Sequence, residues 1–179
     1  MNVSQPPSRP PQLRPLLAIL NRHGVDFVVI GGIAGAAHGS ALATYDLDIV
    51  YARDEANLSR LAAALREMGV KLRGAPDDLP FQVDDRTLAN GSNFTFDTDL
   101  GSFDILGHAD GMRDYDSLRA ESASQEIAGS TVRVASISDL IAMKRAANRP
   151  KDKVAVEEYI VIADEQKKLA KEKKEAEGG

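Results

Sequence analysis

Residues 25–51 read VDFVVIGGIAGAAHGSALATYDLDIVY, and three signals follow one another in that stretch. Phe27–Ile30 is a short apolar run rich in β-branched residues, the pattern of a buried strand. Gly31 and Gly32 come directly after it and open an Ala-rich segment over 33–38 that suits a short helix. A second strand is predicted over 46–50, with two carboxylates at its start. Side chains alternate across a strand, so Asp46 and Asp48 share one face while Leu47 and Ile49 take the other.

The chemistry starts with that pair. With Cβ atoms about 6.5–7 Å apart on one face, the two carboxylates repel each other unless a cation neutralises them. A hard divalent ion such as Mg²⁺ takes oxygen ligands, usually one or two carboxylates together with substrate phosphates. Gly31 and Gly32 add the complementary half, because backbone N–H groups without a Cβ approach a phosphate closely and a helix N-terminus favours an anion. A third acid is expected further on. Residues 93–106 read as a hairpin turning near Thr98-Asp99-Leu100-Gly101, and its second strand, SFDIL, places Phe103 and Ile105 on one face and Ser102, Asp104 and Leu106 on the other. An Asp inside an apolar strand is costly unless it is paired or binds metal, which makes Asp104 the candidate partner of Asp46 and Asp48.

The order Ile30-Gly31-Gly32, thirteen residues, then Asp46-Leu47-Asp48-Ile49 resembles the signature of the DNA polymerase β-like nucleotidyltransferase superfamily. His38-Gly39 and Thr44-Tyr45-Asp46 resemble its small bacterial branch that includes the AbiE-type toxins. Leu42 stands where members of that branch often carry Arg. The resemblance implies an α+β fold: a mixed, twisted sheet with flanking helices, like the polymerase β palm, and a small helical C-terminal part. It also implies nucleotidyl transfer from a nucleoside triphosphate (NTP) with two Mg²⁺ ions. Asp46 and Asp48 would bind both ions, and Asp104 the one nearer the attacking hydroxyl. Gly31 and Gly32 would hold phosphates, Lys144 would be the phosphate lysine, and Asp152 its downstream acidic partner. The acceptor implied is RNA, such as a tRNA 3′ end, with a separately encoded antitoxin protein as partner. A small-molecule acceptor of the antibiotic type fits the chain's acidity, and a catalytically silent binding module stays open because of Leu42.

Composition bounds these readings. At 179 residues and 43% hydrophobic content the chain fits one domain with a real core. It has no cysteine, which excludes disulfides and thiolate metal sites. A net charge of −5 differs from that of a globally basic nucleic-acid binder, so contact with RNA has to come from a local patch. The patch on offer is IAMKRAANRPKDK over 141–153, with five basic residues against Asp152 alone; its other reading is a solvated helix face. No apolar run is long enough to span a membrane, and the Pro-rich N-terminus lacks the apolar region of a secretory signal. A cytoplasmic protein is expected.

Along the chain, an arm over 1–11 precedes the nucleotidyltransferase unit over 12–148, and a helix with a charged tail occupies 149–179. Helices are predicted over 15–23, over 55–68 behind an Asp54 cap, and over 137–148 behind the Ser136–Asp139 capping box. A short strand is read over 70–73, a loop with one helical turn over 107–121, and a hairpin around Gly129-Ser130. Residues 74–90 read as an irregular insertion facing substrate. His38 is expected to bond nearby backbone, while Ser40 and Thr44 either touch phosphate or cap the turn.

Overall fold

The structure, a computed structural model, describes residues 10–76 and 81–177. Most of the expected N-terminal arm, and part of the GAPDD loop, lie outside the described residues.

A mixed sheet organises the chain. Its seven strands are β1 (Phe27–Ile30), β2 (Asp46–Tyr51), β3 (Lys71–Leu72), β4 (Asn93–Thr98), β5 (Gly101–Leu106), β6 (Ala123–Ile127) and β7 (Ser130–Val134), in the order β3-β4-β5-β2-β1-β7-β6. The central pairs are β1 with β2, antiparallel, and β2 with β5, parallel. Such strands should be continuously apolar where both faces are covered, and all four residues of β1 are buried. In β2 the alternation is visible instead: Leu47 and Ile49 are fully buried while Asp46 and Asp48 keep some access.

Helix α1 (Leu13–Arg22) contributes the fully buried Leu16, Leu17 and Leu20 to the core, the 3- and 4-residue spacing of one helix face. It ends at Gly24, whose φ of +66° closes the turn into β1. Helix α3 (Glu55–Glu67) starts at Asp54, which accepts a 2.9 Å bond from Asn57 N–H. Asn57 is fully buried, and its amide bonds Asp26 N–H, Asp26 C=O and Ala52 C=O. One polar side chain thus ties the start of α3 to the end of the β1–β2 pair where the chain enters β1 and leaves β2.

Three readings need adjustment. The short helix α2 (Gly31–Ala37) begins at the glycines themselves rather than after them. The region read as a substrate-facing insertion contains α4 (Asp85–Asn90), which packs on α3 through buried Leu88. Arg53 holds it there by donating to Ala89 and Gly91 carbonyls. A third helix, α5 (Tyr115–Glu121), is longer than the single turn expected and starts at an Asp114 cap.

The last two helices complete the fold. Helix α6 (Ile137–Ala147) is capped by Ser136 and ends at Asn148, in the left-handed conformation. Helix α7 (Pro150–Glu177) runs back along it. Tyr159 of α7 is almost fully buried, with its hydroxyl directly over Gly35; a Cβ at position 35 would collide with that oxygen. The glycine in α2 is therefore a packing requirement of the C-terminal helix. Among the described residues no helix is long and apolar enough to cross a membrane.

Candidate active site

Register brings the three acids together. In the parallel β2–β5 pair Asp48 stands opposite Asp104, and Asp46 opposite Ser102. In the antiparallel β4–β5 pair Asp97 also stands opposite Ser102, whose hydroxyl donates to Asp97 Oδ1 at 3.0 Å. Arg73, just after β3, reaches into this cluster. It donates through Nη2 to Asp104 Oδ1 at 2.7 Å and through Nε to Asp97 Oδ1 at 3.1 Å, and Nη2 lies 3.8 Å from Asp46 Oδ1.

The electrostatics follow from this crowding. Burial, then the charges of Asp104 and Asp46, push Asp48 from its ordinary 3.8 to about 7, against the opposing pull of Lys144 and Lys151. Burial also raises Asp104, although the Arg73 guanidinium works against the shift. Asp46 Oδ1 is buried without a hydrogen-bond partner. An all-oxygen donor set, an orphaned carboxylate oxygen and a neighbour held near neutrality suit a hard divalent cation. As the side chains lie, no three acidic or histidine groups among the described residues are arranged to hold a metal; Arg73 stands between Asp46 and Asp104 instead.

Gly31 shapes the other wall. Its φ is +65°, and a Cβ there would overlap the Asp48 carboxylate, so the position needs glycine both for its backbone and for space. A Cβ on Gly32 would come within 2.5 Å of Thr44. Ile30, at the N-cap of α2, has no side chain that can cap it, which leaves the first amides without that partner.

Lys144 completes the site from α6. Its Nζ donates to Asp152 Oδ1 at 2.9 Å, and Arg149 Nε donates to Asp152 Oδ2 at 2.7 Å. Asp152 is fully buried. Burial raises its pKa, but the bonds from Arg149 and Lys144 outweigh that and bring it down to about 2. It lines neither cavity at the site and acts on them through its two cations.

Two cavities meet here and share Asp48, Lys144 and Arg149. One, of about 510 Å³, gathers Gly32, Thr44, Asp46, Asp104 and Lys151. The other, of about 350 Å³, is walled by aliphatic groups including Leu106, Leu140 and Met143 and is bordered by Gly31. Every expected site residue except Asp152 and Ser40 therefore faces one of the two cavities. Leu42 and the exposed Tyr45 line the larger one. The histidines stay outside: His38 bonds the Ala135 carbonyl at 2.8 Å, and His23 pairs with Glu67.

Sequence reasoning missed Arg73 and Glu158. Glu158 accepts from Ser40 Oγ at 2.5 Å and from Ala41 N–H at 2.9 Å, pinning the loop that leads to Thr44. Neither residue sits in a motif. Arg73 precedes a segment with no periodicity, and Glu158 lies in a helix between the basic patch and the charged tail.

No protein-family profile and no curated protein sequence matches the chain. Solved structures do. Lincosamide antibiotic adenylyltransferase LnuA, lincomycin-bound, superposes with a TM-score of 0.58 at 14% identity, over 84% of this chain and 96% of that one. The antibiotic-resistance factor ANT(2'')-Ia gives 0.51 at 15% identity, over 94% and 96%. An antigenic nucleotidyltransferase-like protein from Paracoccidioides brasiliensis gives 0.51 at 14% identity, over 84% and 75%. At these identities the likeness is one of fold, and the fold is that of the nucleotidyltransferases.

Proposed function

We propose that the chain is a Mg²⁺-dependent nucleotidyltransferase that moves a nucleoside monophosphate from an NTP to an acceptor hydroxyl. The observation that carries this reading is the register setting Asp48 opposite Asp104, beside Asp46, Gly31 and Lys144. Two Mg²⁺ ions, when bound, would supply Lewis-acid polarisation and a more acidic hydroxyl. Asp46 and Asp48 would hold both, and Asp104 the one on the acceptor's side. The chain's own groups do the rest. Gly31 and Gly32 present backbone amides to the β- and γ-phosphates. Lys144, held by Asp152, offsets charge that builds up as pyrophosphate leaves. Asp104 takes the proton from the attacking hydroxyl.

For the acceptor, the first reading is RNA, a tRNA 3′ end being the model, in a toxin whose partner is a separate antitoxin protein. Lys151, exposed and lining the acid cavity, supports it, with Arg145 and Lys153 exposed on the same basic segment. A second reading, a small hydroxyl compound, is favoured by the aliphatic cavity that shares Asp48 with the acid cavity. The lincomycin-bound state of LnuA agrees with it. Incubating the protein with each labelled NTP, Mg²⁺ and total RNA separates the two. Label on RNA, lost in Asp48→Ala, supports the RNA acceptor. No label on RNA from any NTP, with metal-dependent NTP binding intact, assigns a small acceptor. NTP binding that is indifferent to Mg²⁺ and to Asp48→Ala removes the transferase reading.

A further inference from the structure

Arg73 makes more contacts than an arginine needs merely to neutralise buried acid. Its own N–H donates to the Thr95 carbonyl at 2.9 Å, which continues the β3–β4 ladder and fixes where the side chain starts. From there Nη2 donates to the Phe96 carbonyl at 3.0 Å and to Asp104 at 2.7 Å. Nε is spent on Asp97, a carboxylate whose side chain is 53% exposed and lies outside the trio. The guanidinium lies at ion-pair distance from Asp46 Oδ1 without a hydrogen bond, and no contact joins it to Asp48.

We propose that Arg73 is a built-in cation that occupies the Asp104 side of the acidic cluster and has to yield there when a divalent cation binds, so that it sets the affinity of one of the two metal positions. The inference rests on reading Asp46, Asp48 and Asp104 as metal ligands. A cation held by Asp46 and Asp48 leaves every Arg73 bond in place. A cation that reaches Asp104 takes the oxygen that Nη2 now holds and meets a positive charge beside it. Asp97 and the Phe96 carbonyl give the displaced guanidinium a resting place, so its withdrawal leaves no orphaned charge. The device makes the two positions unequal: one filled readily, the other against Arg73.

The test is Mn²⁺ binding to the full chain without nucleotide, read as free Mn²⁺ by electron paramagnetic resonance. The wild-type protein is expected to show a tighter and a weaker class of site. Arg73→Met should strengthen the weaker class by about tenfold, the lower end of what groups around a metal's ligands contribute, and leave the tighter class within about twofold. Asp104→Asn should remove the weaker class. Asp97→Asn, on the exposed side, removes the charged resting place and should shift the weaker class in the opposite direction, toward still weaker binding, by a smaller factor; it serves if Arg73→Met fails to fold. Unchanged Mn²⁺ binding in both Arg73→Met and Asp97→Asn, with Asp104→Asn still removing the weaker class, overturns the proposal and leaves the metal reading standing. Mn²⁺ binding indifferent to Asp46→Asn, Asp48→Asn and Asp104→Asn overturns the metal reading, and this proposal with it.

Discussion

Asp48 on β2 faces Asp104 on β5 across a parallel register, with burial and the two neighbouring acids holding its carboxyl at about 7. The folded state therefore keeps a proton that the unfolded chain gives up near 3.8. Where the folded state binds more protons, stability falls as pH rises. The cost is absent below about 4, grows up to about 7 and is fully present above it. In chelator, Asp48→Asn should melt at a higher temperature than wild type at pH 7.5, and the two should converge near pH 4. A variant no more stable than wild type at pH 7.5 contradicts the account in which burial and the neighbouring acids oppose the charge on Asp48. Cation binding should also release a proton below pH 7, measurable as a buffer-dependent binding enthalpy.

Much of this site was legible in the chain, for a definable reason. Strand alternation alone places Asp46 and Asp48 together and Phe103 and Ile105 opposite Asp104, and each of these follows from a period of two. The capping residues Asp54 and Ser136 were legible because they act over three residues. The resemblance names Asp152 as the acidic partner downstream of Lys144, and the two pair across eight residues. Arg73 was not legible. Its partner Asp104 is 31 residues away, and only the sheet order β3-β4-β5 brings them together. The Gly35–Tyr159 and Ser40–Glu158 contacts are likewise long-range consequences of how α7 docks.

Gly31 tests the other wall of the site. Gly31→Ala puts a Cβ into the left-handed region and against the Asp48 carboxylate. The backbone strain alone costs roughly 1–3 kcal/mol, so the melting temperature should drop. The displaced Asp48 should also lower metal-dependent NTP binding beyond what the lost stability explains. Binding in Gly31→Ala equal to wild type at a temperature where both are folded would show that the close approach is only structural.

Lys144 and Asp152 separate stability from catalysis. Asp152 is held down to about 2, so its contribution to stability is present above its ordinary 3.8 and is lost as pH falls through about 2. Breaking a buried ion pair by removing one partner costs roughly 3–5 kcal/mol, and less is expected for Lys144→Ala because Arg149 remains on Asp152. Transfer should fall by roughly 10²–10³-fold, the scale of one transition-state charge stabiliser. Replacing both partners with apolar residues, Lys144→Met with Asp152→Leu, should recover stability relative to the single change and leave transfer as low. Recovery of transfer in the double variant would make Lys144 a structural residue.

Glu158 reports on the loop between the glycines and the acids. The Ser40 hydroxyl, first, and then the Ala41 N–H hold its carboxylate below the usual range, so the contact is fully present above that range and is lost only as pH falls below it. The clamp fixes one side of the cavity that carries Leu42, Thr44 and Tyr45. It touches no acid of the trio, so its removal should loosen substrate binding rather than slow the chemical step. Glu158→Ala is expected to raise the KM for NTP several-fold with kcat within about twofold of wild type. Glu158→Gln, which can still accept from Ser40, should fall between the two. A fall in kcat with KM unchanged would place the loop in the transition state rather than in nucleotide capture.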